Sequence, residues 1–188
     1  MKFFVIFFLK IKVFALVGMP GSGKTEATLL LKDLNLTVVT MGDRIREEMK
    51  NRNIQINSEN MRKFMLDLRK EEGMDVVAKK TLPFILKIKA DIVIVDGIRN
   101  QEEIDFFKKH LKSFKTIGIL ASPEIRYQRL MERKREDDSI DFNKLKDRDQ
   151  KELSVGIDKV IEQADYQIVN ESTKEFLKSE FKRILFTD

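Results

Sequence analysis

Apolar and polar positions alternate along this chain in blocks. Short apolar runs stand at VFALVG (13–18), LTVVTM (36–41), DIVIVDG (91–97), FKTIGILA (114–121) and DYQIVN (165–170). Each is rich in β-branched or aromatic residues and apolar at consecutive positions, as strands buried on both faces of a parallel sheet are. Charged segments with helical spacing fill the intervals. They predict helices over Lys24–Leu34, Asp43–Arg52, Ser58–Glu72, a segment from Asp75 past Thr81, Gln101–Leu111, a helix opening at Ser122-Pro123-Glu124, Leu153–Ala164 and Thr173–Phe186. Ser58 is the expected N-cap of the third helix and Gly73 its stop. Asp75 is the expected cap of the fourth, which Pro83 should kink or end. Strand and helix alternating in this way predict an α/β domain with a parallel sheet.

With 188 residues and 36% charged positions, the chain reads as one globular domain. The absence of cysteine excludes a disulfide framework, a thiolate zinc site and a cysteine nucleophile, and fits a cytoplasmic location. A single histidine, His110, follows two lysines and reads as a surface residue. The net charge of +5 suits an anionic small substrate or a nucleic acid.

The opening MKFFVIFFLKIKVFALVG resembles a targeting segment, yet it contains the first predicted strand. Its signal-like part, Phe3 to Leu9, is only seven residues long, and no A-x-A pattern precedes Ala15. No uninterrupted apolar stretch reaches the ~20 residues of a spanning helix, so stable membrane insertion is not expected. Residues 1–10 are read as an apolar extension and 11–188 as the domain. Deleting 2–10 should leave nucleotide binding intact, whereas deletion through Val17 should abolish folding.

Most of the chemistry lies in Gly18-Met19-Pro20-Gly21-Ser22-Gly23-Lys24-Thr25, which fits G-x-x-x-x-G-K-[ST] between a predicted strand and a predicted helix. Such a loop wraps phosphate oxygens with backbone N–H groups, and its glycines permit the close approach. The helix N-terminus adds positive potential. Lys24 reaches the β- and γ-phosphates of ATP, and the Thr25 hydroxyl ligates Mg²⁺. Asp96, at the end of the strongest strand signal, is the candidate acid for the magnesium shell.

Ligands of parallel sheets collect at the carboxyl ends of strands. Asp43, Arg44 and Arg46 follow the second predicted strand, and Asp96-Gly97-Ile98-Arg99 closes the third. One such arginine alone is commonly a surface ion pair. Together they point to an anionic acceptor opposite the phosphate loop, bound in a region of about residues 42–90. Asp43 is a candidate general base should that acceptor be a hydroxyl. Arg126, Arg129 and Arg133 share one helical face and, with Arg148, are candidates for a mobile lid over about 126–150. Arg129 and Arg133 are the expected catalytic cations beside Lys24.

GMPGSGKT, MGDRIREE, VDGIRN, RYQRLMERKREDD, DRDQKEL and ADYQIVNES, in this order, resemble an archaeal family of P-loop kinases related to adenylate kinase and dephospho-CoA kinase. The resemblance covers roughly residues 11 to 186. It implies a three-layer, nucleoside-monophosphate-kinase-like fold with strand order 2-3-1-4-5 and ATP at Gly18 to Thr25. It also gives Arg46 the place of an acceptor-phosphate arginine and matches Asp96, Gly97 and Arg99 to an Asp-Gly-x-Pro-Arg motif. Here Arg99 follows Ile98 directly, so that proline is missing. The long zinc-binding lid of some adenylate kinases is absent, and ADYQIVNES looks more like dephospho-CoA kinase. The expected activity is transfer of the ATP γ-phosphoryl group to a nucleotide or similar small anion. The alternative is an ATP-dependent switch acting on RNA or a protein partner.

Overall fold

In the computed structural model, residues 11–133 and 142–187 are described. The expectations for residues 1–10 and for the middle of the 126–150 lid therefore lie outside the described residues. Five parallel strands form one sheet in the order β2-β3-β1-β4-β5. They are β1 (Lys12–Val17), β2 (Thr37–Thr40), β3 (Ile92–Asp96), β4 (Ser113–Leu120) and β5 (Tyr166–Val169).

The central strand shows why the apolar runs are continuous. Val13, Ala15 and Val17 enter one core layer, while Phe14 and Leu16 enter the other. β3 does the same, with Val93 and Val95 on one side and Ile94 on the other. Neither face of these strands meets water, so the sequence has no polar alternation to show.

Helices cover both faces. α1 (Lys24–Asp33) and α9 (Lys174–Phe186) pack on the side of Phe14 and Leu16, through Ala27, Leu31, Leu177 and Phe181. The opposite layer takes in α2 (Met41–Asn51), α3 (Ser58–Glu72), α4 (Val76–Ile85), α5 (Gln101–His110) and α8 (Ile157–Glu162). α6 (Pro123–Arg133) and α7 (Phe142–Ser154) form a smaller third cluster around Tyr127, Leu130 and Leu145.

Caps set several boundaries. The Asn100 side chain accepts from the Glu103 N–H at the start of α5, and Thr173 accepts from Phe176 N–H at the start of α9. α3 is capped by Asn57, one residue before the expected Ser58, through the Asn60 N–H. Asp75 makes no side-chain cap on α4 and instead holds Lys79 at 2.7 Å, one turn along. Pro83 does not end that helix, which continues to Ile85. Packing of buried Val76, Val77, Thr81 and Ile85 outweighs the one backbone bond the proline removes. The helix expected over Leu153–Ala164 is two helices. α7 ends at Ser154, Gly156 turns with a φ of 87°, and α8 follows. His110 is an exposed residue stacked on Phe106, and no metal-binding cluster of acids, histidines or cysteines occurs among the described residues.

Candidate functional site

The G-x-x-x-x-G-K-T loop joins β1 to α1 directly. Gly21 has a φ of +79°, and a Cβ there would lie 2.5 Å from the Arg126 carbonyl oxygen. Gly23 has a φ of +99°, and a Cβ there would meet the Asn170 amide at 2.1 Å. Both the backbone conformation and the crowding therefore require glycine. The Ser22 hydroxyl is buried within this loop and has no hydrogen-bond partner among the described residues.

Asn170 and Arg126 brace the loop from outside. Asn170, just past β5, donates its amide to the Ser22 carbonyl at 2.9 Å, and its own carbonyl accepts from Arg129 at 2.9 Å. Arg126 donates to the Pro20 carbonyl at 2.9 Å. Its guanidinium forms a two-pronged pair with Asp149 at 3.0 and 2.5 Å, and the Tyr127 hydroxyl donates to the same carboxylate at 2.9 Å. Arg126 and Asp149 are buried. Arg126 is therefore a fixed brace and not one of the swinging lid arginines expected from its spacing. The charged segment expected to move as a lid is, from Phe142 on, a helix pinned through Asp149.

Lys24 folds back over the loop, donating to the Gly18 carbonyl at 2.5 Å and to the Met19 carbonyl at 3.0 Å. Burial pushes its pKa down to about 8, against the opposing pull of the Asp96 carboxylate. Asp96 ends β3, level with Leu16 of β1 and Thr40 of β2 in the sheet register. Burial also raises the Asp96 pKa, against the pull of Lys24 and Arg99.

A cleft of about 890 Å³ opens over this end of the sheet. The loop glycines, Lys24 and Thr25 line one side, together with Arg129, Arg133 and Asn170. Arg46, Gly97 and Arg99 line the other, with Met41, Met61, Met65, Val77 and Ile98 as apolar wall. Asp96 stands between them. Among the described residues, seven cationic and four acidic side chains line the cleft, which favours anions. Thr25 and Asp96 present hydroxyl and carboxylate oxygen, the hard donors that Mg²⁺ takes together with water and substrate phosphates.

Not every expected residue arrives there. Asp43 does not line the cleft; it lies on the exposed first turn of α2 and holds Arg46 at 2.7 Å. Arg44 turns away, paired with Glu47 at 2.9 Å and 3.9 Å from the centroid of the Phe84 ring. Met19 packs against the core, and Ser22 is buried beneath the loop surface. Conversely, Glu152 of α7 lies in the cleft and is paired with Arg99. Asn170, Asp149 and Glu152 lie in the stretches DRDQKEL and ADYQIVNES that carry the family resemblance, but nothing in the sequence gave them individual roles. Each acts through a partner far along the chain, and only the strand-end position of Asn170 marked it.

Behind Arg99, buried Glu103 accepts from the Arg99 backbone N–H at 2.8 Å and pairs with Arg69 of α3 at 3.2 Å. The β3–α5 turn carrying Arg99 is thereby tied to α3.

Residues 17–146 match an AAA domain family. A UPF0200 protein of Methanoculleus marisnigri is 40% identical over 174 residues, covering 93% of this chain and 95% of its own. A solved structure from Thermus thermophilus superposes with a TM-score of 0.65 at 15% identity, covering 93% and 96% of the two chains. A shikimate kinase of Bacteroides thetaiotaomicron gives 0.60 at 16% identity, over 93% and 98%. The structural likenesses establish the fold alone, which this chain shares with both proteins. The sequence similarities establish lineage: this chain belongs to the UPF0200 family, and its residues 17–146 belong to an AAA domain family.

Proposed function

We propose that the protein transfers the γ-phosphoryl group of ATP to a small anionic acceptor, most simply a nucleotide carrying a phosphate monoester. The observation that carries this reading is the two-sided cleft. A phosphate loop with Lys24 and Thr25 faces Arg46 and Arg99 across a single space.

The loop N–H groups and Lys24 hold the β- and γ-phosphates, and Lys24 exchanges its two carbonyl partners for phosphate oxygens. Arg129 and Arg133 approach the transferring group from the α6 side and balance its charge. Arg46 and Arg99 orient the acceptor for in-line attack. Thr25 and Asp96 would hold Mg²⁺, which neutralises phosphate charge when bound. A phosphate acceptor is already ionised and needs no general base. Asp43 is instead paired with Arg46.

The test is incubation with ATP, Mg²⁺ and, separately, AMP, CMP, UMP and dephospho-CoA. Phosphorylated product from one of them, lost in Lys24→Ala, is the expected result. ATP hydrolysis with no transfer to any acceptor, and stimulated by RNA, would instead favour the switch.

A further inference from the structure

Arg46 and Arg99 line the acceptor side, and Arg148 of α7 also lines the cleft. Arg46 and Arg99 are each held by a carboxylate, but the two pairs differ in kind. Arg46 is paired with Asp43, its neighbour three residues away on the same exposed helix turn. Arg99 is paired with Glu152, which comes from another helix 53 residues further along and lies inside the cleft. The Glu152 side chain is 15% exposed, whereas that of Arg99 is 42% exposed and open to a ligand.

We infer that Glu152 is an internal competitor for the acceptor phosphate: its carboxylate occupies Arg99 in the free protein, and acceptor binding exchanges one anion for the other. This rests on the acceptor reading above. The backbone around Arg99 is held by Glu103, which is itself buried against Arg69. The backbone that carries the arginine is thus fixed, and the exchange falls to the Glu152 side chain. α7 stays pinned by Asp149, one turn before Glu152 on the same helix face, through Arg126 to the Pro20 carbonyl. Only the end of α7 bearing Glu152 has to give way.

The chemistry favours the exchange. A phosphate monoester dianion offers a guanidinium more charge and a better two-pronged fit than a side-chain carboxylate. Lys24 lies within the electrostatic reach of both Arg99 and Glu152. ATP phosphates arriving on Lys24 would therefore repel Glu152 and loosen its hold. Glu152 would act as a selectivity filter, since only ligands carrying enough negative charge displace it. Neutral nucleosides gain nothing from Arg99 while Glu152 occupies it.

The test saturates the full chain with a non-hydrolysable ATP analogue, so that the phosphate loop is filled, and then titrates AMP or adenosine by calorimetry. Glu152→Gln should tighten AMP binding by roughly fivefold or more, beyond any change in the affinity for the analogue. Adenosine affinity should not change. Arg99→Ala should weaken AMP binding, and Glu152→Gln should tighten it less in that background than in the wild type. Unchanged or weaker AMP binding in Glu152→Gln overturns the inference, as does equal tightening toward adenosine or AMP binding to neither protein. Failure of the ATP analogue to bind at all would be a separate result, against the nucleotide reading itself.

Discussion

The two sides of the cleft hold their cations differently. On the phosphate-loop side, Lys24 is bonded to loop carbonyls and Arg126 is a buried brace between Pro20 and Asp149. On the acceptor side, Arg46 and Arg99 are exposed by about half and are held by carboxylates. Backbone carbonyls and buried ion pairs fix a shape, whereas exposed ion pairs contribute little and are readily exchanged. On our reading, the loop side presents one geometry to a nucleoside triphosphate and the acceptor side trades one anion for another.

The largest effect should come from breaking the brace. Asp149→Ala leaves the buried Arg126 guanidinium without its counter-ion, which should cost about 3–5 kcal/mol of stability in urea denaturation. Replacing both partners, Arg126→Met with Asp149→Leu, should recover most of that stability but not the nucleotide affinity, because the Pro20 carbonyl loses its donor. If the double variant binds ATP as the wild type does, the brace is merely structural.

Lys24→Ala should remove a charge-assisted contact of about 1.5–3 kcal/mol from ATP binding, read as a loss of roughly tenfold or more in affinity. Unchanged affinity would remove Lys24 from the site.

The lowered Lys24 pKa gives a pH signature of comparable kind. In the free fold this ammonium releases its proton near pH 8, below the ordinary 10.5. Phosphates favour the charged form, so ATP affinity should stay level below about pH 8. Above it the affinity should fall by at most about tenfold per pH unit. The stability effect runs the other way. Between pH 8 and 10.5 the unfolded chain holds the proton that the folded one has lost, so folding gains as pH rises. Lys24→Met should therefore be more stable than wild type at pH 7, with the gap narrowing through this window in paired denaturation curves.

The smallest effect belongs to Asp43→Ala, which breaks only an exposed ion pair. It should change stability by less than ~1 kcal/mol and leave phosphoryl transfer to a phosphate acceptor near the wild-type rate. A collapse of turnover in that variant would return Asp43 to the chemistry as a base.

What the sequence disclosed follows a physical line. The strands were legible because Val13–Val17 and Ile92–Asp96 are buried on both faces, and the phosphate loop because its glycines and Lys24 have local reasons for their spacing. The strand ends located Asp96, Arg46 and Arg99, since parallel strands deliver their carboxyl ends to one edge. The brace was hidden. Asp149 sits in one of the most charged stretches of the chain, and burial of a carboxylate there depends on Arg126, 23 residues earlier, and on the Tyr127 hydroxyl. Helical spacing put Arg126 on the same face as Arg129 and Arg133, but it could not say that the first is buried under the loop while the other two line the cleft. Glu152 was hidden for the same reason, its partner being brought to it only by the docking of α7.

The central claim is that one cleft holds donor and acceptor together, and the fate of the γ-phosphate tests it most directly. With isotope in the γ-position of ATP, Mg²⁺ and the acceptor that responds best, label should appear in the phosphorylated acceptor. In Arg99→Ala transfer should fall, and what turnover remains should deliver label to inorganic phosphate. Label found only in inorganic phosphate with the wild-type protein, and unaffected by Arg99→Ala, would contradict the account.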